Sequence, residues 1–460
     1  MIWKIKIFNF GPIKKFEFDL SKDLVIAYGK NNIGKSYAMS IVYLLLKHLL
    51  KIKNYHLAEL IRSEVTDEKN NIFAEEAPKG KEFNITDRVN DIIKNSMNTA
   101  IADILENSFI NTFGELADVK NYRSKHTPLI QLNFLNQTIQ LTVGRKIRVK
   151  QFSSGKEIIV KISEGKDTYR YDEDKYFLFG SSIPAFAETL HTIIRDRYRE
   201  LLEGIKAEIS DVYFLPASRS GLYTGSESFF PIIAELSKKR AYITEKIELP
   251  EMAEPIADYI LRLSEIDKRP TRSKSLMDIA RRIEKNILKG EVSFDTDKKR
   301  LTYSPENSSL VLKMNAASSM VSELSPIVAF LKYILGKNSK GPGKNSHPNA
   351  KPIIFIEEPE AHLHPEAQVQ LAEIFVELIH AGIKLIISSH SNYIFNKLSN
   401  MVISKALDLN RYAPIILADT DKGSVSKLMA ADDLGVEDEN FLDTAVDLYE
   451  ERENILETLN

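Results

Sequence analysis

The 460-residue chain contains no cysteine. Disulfide bridges, thiolate metal ligands and cysteine nucleophiles are therefore excluded, and the composition is typical of a reducing compartment. Neither sign of charge is in excess, because 62 Lys and Arg stand against 64 Asp and Glu, a formal net charge of −2. Contact with nucleic acid would therefore need a local basic patch.

Long apolar runs are also missing. The longest, Ile41 to Leu50, is interrupted by Lys47 and has about half the length that a membrane-spanning helix needs. The first ten residues alternate between apolar and polar side chains, which is typical of a strand rather than of a signal peptide. We therefore expect a cytoplasmic protein without a membrane partner.

Hydrophobic periodicity predicts an α/β fold. Helical patterns dominate residues 55–125 and 225–290, whereas residues 128–173 alternate like antiparallel strands. A linker rich in Gly, Ser, Lys, Asn and Pro covers 336–351, and strand and helix patterns alternate after it. Further segments are predicted as strands at 2–8, 14–20, 24–28, 211–216, 292–295 and 300–304, and as helices at 35–51 and 183–205.

The strongest local motif spans residues 29–36, Gly-Lys-Asn-Asn-Ile-Gly-Lys-Ser, a complete match to the phosphate-binding loop G-x-x-x-x-G-K-[S/T]. Such a loop lies between a strand and a helix, and its backbone amides point at phosphate oxygens. Lys35 would reach the β- and γ-phosphates of ATP, and the Ser36 hydroxyl would ligate Mg²⁺. The other residues that we expect to bind the nucleotide are Gly29, Asn31, Asn32 and Gly34.

A second motif follows the apolar stretch 353–356, where Glu357 and Glu358 come in succession. The first carboxylate is predicted to hold Mg²⁺ and the second to polarise the attacking water. One alternative is a buried strand that ends in a solvated acidic turn. Another is a metal site formed by Glu360, His362 and His364, which alternate along an extended segment.

A third motif, residues 385–391, again delivers polar residues to the end of an apolar strand. Open α/β sheets bind their ligands at that edge. His390 is therefore a candidate to contact the γ-phosphate or to orient water. The alternative is a purely structural histidine.

Together these motifs resemble the ABC-type ATPase domains of the structural-maintenance-of-chromosomes (SMC) and overcoming-lysogenization-defect (OLD) group, most clearly in residues 357–365, Glu-Glu-Pro-Glu-Ala-His-Leu-His-Pro. The resemblance implies that Glu357 replaces the usual magnesium aspartate, that Glu358 is the catalytic glutamate and that His390 is the switch histidine. It also implies a homodimer, or a higher oligomer, joined through its ATP sites.

The resemblance further implies a signature segment that completes the partner's ATP site. The matching residues here are 317–324, within which Ser318 and Ser319 would meet the partner's γ-phosphate. The glycines usual in this segment are missing, and Met320 occupies one of their places. The alternative is that a serine simply caps the helix.

The implied fold is a P-loop ABC-type ATPase domain, a mixed sheet flanked by helices. It is predicted to be split into 1–55 and 306–460 by a mostly helical insertion, 56–305, with an antiparallel β part. Strand 211–216 inside the insertion is assigned to the ATPase domain. Arg219 follows it and is expected near the phosphates, with a surface arginine as the alternative.

OLD proteins carry a Toprim nuclease after the ATPase domain, but Asp419-Thr420-Asp421 is interpreted here as a hairpin turn. The chain then resembles the ATPase subunits of anti-phage systems such as Septu and PARIS, in which a separate effector, such as an HNH nuclease, carries the toxic activity. Alternatives are an ATP-gated scaffold with slow hydrolysis and a self-contained nuclease. DNA contact would fall to the basic clusters at 238–240 and 268–272.

Overall fold

The computed structural model describes residues 3–52, 82–162, 168–172, 175–180, 183–226, 238, 251–266, 270–271, 273–335, 347, 349–438 and 442–459. Part of the predicted helical region 55–125, most of the linker 336–351 and most of both basic clusters lie outside these residues.

Twenty strands are assigned within the described residues. In chain order they are β1 (Trp3–Phe10), β2 (Ile13–Asp19), β3 (Leu24–Tyr28), β4 (Glu82–Asn84), β5 (Leu129–Phe134), β6 (Gln137–Val143), β7 (Ile147–Ser154), β8 (Glu157–Ile162), β9 (Thr168–Asp172), β10 (Lys175–Gly180), β11 (Ile209–Leu215), β12 (Gly290–Asp295), β13 (Arg300–Pro305), β14 (Leu312–Lys313), β15 (Lys351–Glu357), β16 (Lys384–Ser388), β17 (Tyr412–Ala418), β18 (Ser424–Leu428), β19 (Ala431–Asp432) and β20 (Gly435–Val436).

Ten named α-helices accompany them in the described part of the chain, in which residues 219–226 are also helical. They are α1 (Lys35–Lys51), α2 (Thr86–Met97), α3 (Asp103–Phe113), α4 (Ile183–Glu208), α5 (Glu254–Ser264), α6 (Lys274–Arg282), α7 (Ser319–Ala329), α8 (Pro365–His380), α9 (Asn392–Ile403) and α10 (Leu442–Leu459). In the same residues, no helix combines the length and the apolar character that crossing a membrane requires.

One sheet of eleven strands organises the molecule, in the order β11-β15-β16-β3-β17-β18-β2-β1-β5-β6-β7. The first five strands run parallel to one another, and antiparallel pairs follow from β17 to β18 and from β2 to β7. The predicted α/β class with a mixed sheet is confirmed. The phosphate-loop strand β3 lies between β16 and β17, so the three motif-bearing strands β3, β15 and β16 are consecutive in the sheet.

The antiparallel strands of the predicted insertion do not all form a separate unit. Strand β5 pairs along the edge of β1, with Ile7 opposite Ile130 and Ile5 opposite Leu132, and β6 and β7 extend the same sheet. The physical reason is that the alternating apolar residues of β5 continue the buried face of β1. Only β4, β8, β9 and β10 form a four-stranded sheet of their own, and β12–β14 a three-stranded one.

Helices cover both faces of the parallel part of the sheet, which explains its apolar strands. Alternate residues of β3 belong to two different cores: Val25 and Ala27 pack in the core that contains α1, whereas Leu24 and Ile26 pack in the core that contains α7, α8 and α9. The carboxyl ends of β3, β15 and β16 lie at the same edge of the sheet, and the sequence motifs meet there.

Candidate functional site

The phosphate-binding loop connects β3 to α1, as the motif predicted. Gly29 and Gly34 have φ angles of 136° and 100°, which non-glycine residues avoid. A Cβ atom at Gly34 would lie 2.7 Å from the Ile13 Cγ1 atom, and one at Gly29 would lie 2.7 Å from the Leu417 carbonyl oxygen. The loop therefore needs glycine at both positions, because the β1–β2 turn and β17 enclose it closely.

The loop's outer residues, Asn31 and Asn32, are exposed. Helix α1 starts at Lys35, no acidic residue lies in its first turn, and no side chain caps its first amides. An uncapped helix N-terminus carries partial positive charge and free N–H groups, which favour an anion. The structure thus leaves this end of α1 available for phosphate.

The Lys35 amine lies in the loop and is nearly buried, with 6% of the residue exposed. It donates hydrogen bonds to the carbonyl oxygens of Gly29 at 2.9 Å and Lys30 at 2.7 Å. Burial lowers the pKa of Lys35 to about 8, although the charges of Glu358 and Glu360 oppose this shift. Because both hydrogen-bond acceptors are uncharged, a phosphate oxygen would supply the counter-charge that the amine lacks.

Glu357 ends β15 with its side chain buried, 8% of the residue being exposed. Its Oε2 atom accepts a hydrogen bond from the Ala217 amide at 3.3 Å, whereas Oε1 is buried without a donor among the described residues. Burial raises the pKa of Glu357, and the Ser36 hydroxyl and the Ala217 amide favour its charged form. The Glu357 carboxylate thus has one oxygen without a donor and lies beside the Ser36 hydroxyl, a combination that fits Mg²⁺, which prefers oxygen ligands.

Glu358 and His390 form the accessible side of the site. The Glu358 Oε1 atom lies 3.8 Å from the His390 Nε2 atom, and their side chains are 44% and 30% exposed. Burial and the charge of Lys35 lower the pKa of His390, against the effect of Glu358. These effects favour the neutral form of His390, in which one ring nitrogen donates and the other accepts.

Glu360 connects the segment that follows β15 to the segment that follows β16. Its Oε1 atom accepts a hydrogen bond from the Ser389 hydroxyl at 3.0 Å and another from the His390 amide. Burial raises the pKa of Glu360, although these two donors favour its charged form. The strand that carries His390 is thus tied to the segment that carries Glu358.

The alternative metal site does not form. His362 is exposed, and His364 instead caps α8, its Nδ1 atom accepting from the Glu366 amide at 3.4 Å. Over the described ranges, no three His, Asp or Glu side chains meet in a geometry that would hold a metal ion. Glu360 points to the His390 strand rather than toward the two histidines.

Ser318 and Ser319 are exposed at the start of α7. The Ser318 hydroxyl accepts a hydrogen bond from the Val321 amide at 3.4 Å, which is the helix-capping role weighed for it. Within the described residues, neither serine forms a hydrogen bond with residues 29–36 or 357–390 of the same chain. They stay candidates for contact with a second copy.

Arg219 is fully buried, so the surface alternative is wrong. Its Nη1 atom donates to the Glu357 carbonyl at 2.7 Å and its Nη2 atom to the Glu358 carbonyl at 3.3 Å. Nη2 also lies 3.4 Å from the Glu323 Oε2 atom. Glu323 was not among the residues predicted from the sequence. An acidic residue inside the apolar helix 319–329 was the signal that could have found it.

Asp419-Thr420-Asp421 connects the antiparallel strands β17 and β18, which is the predicted hairpin turn. The Asp419 carboxylate is 2.8 Å from the Arg123 Nη1 atom and is half exposed. A salt-bridged, solvated aspartate in a turn does not resemble a catalytic metal ligand.

Comparison with protein families agrees with this geometry. A family model described as "AAA ATPase domain" matches residues 1–395. The chain belongs to this family. The matched range contains every residue assigned above to the phosphate-binding loop, the acidic strand end and the histidine.

No curated protein matches this AAA ATPase domain protein. Among solved structures, it is similar to an SMC head bound to the C-terminal winged-helix domain of ScpA, at 11% identity and a TM-score of 0.37, covering 93% of this chain and 97% of the other. The SMC head domain of Thermotoga maritima matches at 10% identity and a TM-score of 0.33, covering 94% and 100%. A Pyrococcus furiosus SMC head with an extended coiled coil, bound to the C-terminal domain of ScpA, matches at 12% identity and a TM-score of 0.38. This match covers 98% of this chain and 99% of the other.

Proposed function

We propose that this chain binds ATP with Mg²⁺ and hydrolyses it to ADP and phosphate in a site completed by a second copy of itself. The observation that supports this most is the meeting of the phosphate-binding loop with the two glutamates. Lys35 and Ser36 at the start of α1 face Glu357 at the end of β15, and Glu358 and His390 stand beside them.

Each residue has a distinct role in this proposal. Lys35 and the loop amides bind the phosphates, while Ser36 and Glu357 hold Mg²⁺, which neutralises phosphate charge. Glu358 polarises the attacking water, and the neutral His390 ring beside it orients that water or the γ-phosphate. Phosphoryl transfer needs mainly positioning and charge stabilisation, so such a set of groups is sufficient in kind.

The second copy would contribute Ser318 and Ser319. Both are exposed at the N-terminus of α7, where helix amides favour an anion. Hydrolysis would then depend on assembly, because among the described residues Ser318 and Ser319 form no hydrogen bond with the phosphate-binding loop of their own chain.

Turnover measured against protein concentration tests this proposal. We expect phosphate release per chain to rise with concentration and to saturate once the dimer forms. Glu358→Gln should keep ATP binding and lose turnover, whereas Glu366→Gln, an exposed acid of α8, should keep both. Full turnover in Glu358→Gln, or unchanged ATP affinity in Lys35→Ala, would refute the assignment.

Two observations favour a second candidate, an ATP-gated scaffold with slow hydrolysis. The metal carboxylate is a glutamate whose pKa burial raises, and the signature glycines are missing. ATP-driven dimerisation with negligible steady-state phosphate release, unaltered by DNA or by the product of a neighbouring gene, would favour the scaffold.

We infer the biological setting from the sequence resemblance alone: an ATPase subunit of an anti-phage system that controls a separate effector, such as an HNH nuclease. Co-expression with the neighbouring gene and phage plating tests this role, which requires protection to be lost in Lys35→Ala. DNA contact stays a prediction, to be tested by binding of the purified chain to duplex DNA at two salt concentrations.

A further inference from the structure

A buried ion pair joins the helix expected to face the second copy to the backbone of the catalytic strand end. Arg219 and Glu323 have 0% and 1% of their side chains exposed, and the Arg219 Nη2 atom lies 3.4 Å from the Glu323 Oε2 atom. Arg219 also donates from Nε to the Glu323 carbonyl at 3.2 Å. The guanidinium therefore contacts α7 through both the backbone carbonyl and the side-chain carboxylate of Glu323.

The remaining donors of Arg219 go to the catalytic segment. Nη1 donates to the carbonyl oxygens of Pro216 at 3.1 Å and Glu357 at 2.7 Å, and Nη2 donates to that of Glu358 at 3.3 Å. A planar guanidinium presents its donors in a fixed fork. A shift of α7 would therefore be felt directly at the peptide that precedes the catalytic side chain and at the one that follows it.

The backbone of Glu358 has an unfavourable conformation that depends on its neighbours. Its φ angle is 41°, in the left-handed region that non-glycine residues adopt only at a cost in free energy. The Glu358 amide donates to the Ser388 carbonyl at 3.0 Å, while its carbonyl accepts from Arg219. The Glu358 carbonyl also accepts a hydrogen bond from the Ala361 amide at 3.1 Å. Three neighbours thus hold an unfavourable conformation in place, and Arg219 is one of them.

Glu323 in turn is held against the arginine's own segment. Its Oε1 atom accepts hydrogen bonds from the Ser220 hydroxyl at 2.7 Å and from the Ser220 amide at 3.3 Å. Glu323 lies on α7 four residues after Ser319, so it is about one helical turn from the exposed end of that helix. A displacement of this end reaches Arg219 directly through the Glu323 carbonyl, which is a backbone group.

We propose that Arg219 is a positioning residue that, through Glu323, makes the orientation of Glu358 depend on whether a second copy occupies the end of α7. This inference rests on the proposed function. It adds the route by which assembly at one ATP site sets the catalytic glutamate of the neighbouring site on the same chain.

The test compares Arg219→Lys with a matched control, Arg262→Lys. Lysine keeps the positive charge beside Glu323, but its three donors lie on one atom and cannot serve the four carbonyls that Arg219 contacts. Arg262 pairs with Asp211 at 3.4 Å on the outside of the neighbouring helix α5, away from the site. Circular dichroism melts verify that both variants fold.

We expect Arg219→Lys to lower kcat by about tenfold to a hundredfold, as misplaced catalytic groups do, with the Kd for ATP changed less than about threefold. Arg262→Lys should leave both unchanged. In the Glu358→Gln background, Arg219→Lys should not lower the residual rate further, since the two residues act as a unit. A kcat within twofold of wild type, or parallel losses in kcat and ATP affinity, would overturn the inference.

A second readout does not need hydrolysis. If the wild-type chain shows no turnover, the proposed catalysis fails, and the inference is decided by hydrogen exchange of residues 357–361. Arg219→Lys must then raise exchange there by about tenfold over Arg262→Lys, because the Glu357 and Glu358 carbonyls lose their hydrogen bonds to the guanidinium and only the contacts to Ser388 and Ala361 remain. Equal exchange in the two variants would refute it.

Discussion

Binding of ATP should take up a proton from solution, because the Lys35 amine is partly deprotonated before phosphate arrives. Burial lowers its pKa to about 8. A phosphate within hydrogen-bond distance favours the charged amine and raises the pKa of Lys35 well above its value in the free chain. The bound lysine is then fully protonated across the range in which the free one titrates.

The expected size follows from this pKa. With a pKa of about 8, binding takes up about 0.1 proton at pH 7, 0.5 at pH 8 and 0.9 at pH 9. If only the charged amine binds phosphate, the affinity for ATP falls about elevenfold between acidic pH and pH 9. His390 also gains affinity for a proton when phosphate arrives, but its pKa is already lowered in the free chain. Its share of the uptake therefore falls as the pH rises, whereas the share of Lys35 grows.

Isothermal titration calorimetry measures this uptake directly. The binding enthalpy of MgATP is recorded at each pH in two buffers of different ionisation enthalpy, and the difference gives the number of protons. Lys30→Met, which removes an exposed lysine of the same loop, should keep the uptake, and Lys35→Met should abolish it. No uptake at pH 9, or uptake that survives in Lys35→Met, would refute the reasoning.

Three further predictions concern turnover, folding and acid stability. Glu358→Gln should lower kcat at least about a hundredfold while the Kd for ATP is kept, as seen by phosphate release and equilibrium binding; a smaller loss of kcat contradicts a catalytic role. Gly34→Ala should destabilise the protein by at least about 2 kcal/mol in urea unfolding, because its φ is 100° and its Cβ would meet Ile13 at 2.7 Å. Burial disfavours the charged form of Glu254, but hydrogen bonds such as the one from Lys47 outweigh it and lower its pKa to about 2. Its stabilising effect is present above its unfolded pKa of 4.5 and is lost as the pH falls from 4.5 toward 2, so Glu254→Gln should flatten the acid limb of the stability curve.

The sequence predicted those parts of the site that obey a local rule. The phosphate-binding loop needs specific residues at fixed spacing, so Gly29, Gly34 and Lys35 could be recognised without any fold. The ends of β15 and β16 were predictable because continuous apolar runs indicate strands buried on both faces, and their polar ends then meet at one edge.

Tertiary relations could not be obtained in that way. Nothing local in residues 129–134 says that they pair with β1 rather than with a separate sheet, since alternation fixes the face of a strand but not its neighbour. Arg219 and Glu323 are 104 positions apart, and only the fold brings their charges together. A buried arginine and a solvated one look the same in a sequence.

The placement of β3 between β16 and β17 has a consequence for synthesis. Its residue Leu24 pairs with Leu385 on one side and with Tyr412 on the other, so at about 5–20 residues per second it waits roughly 20 to 70 seconds for partners. During that time the nascent chain exposes the apolar stretch Leu-Val-Ile-Ala-Tyr and much of the apolar side of α1. Such segments recruit one another as well as their proper neighbours, so the early part of this polypeptide depends on chaperones or on dilution until translation has passed residue 412.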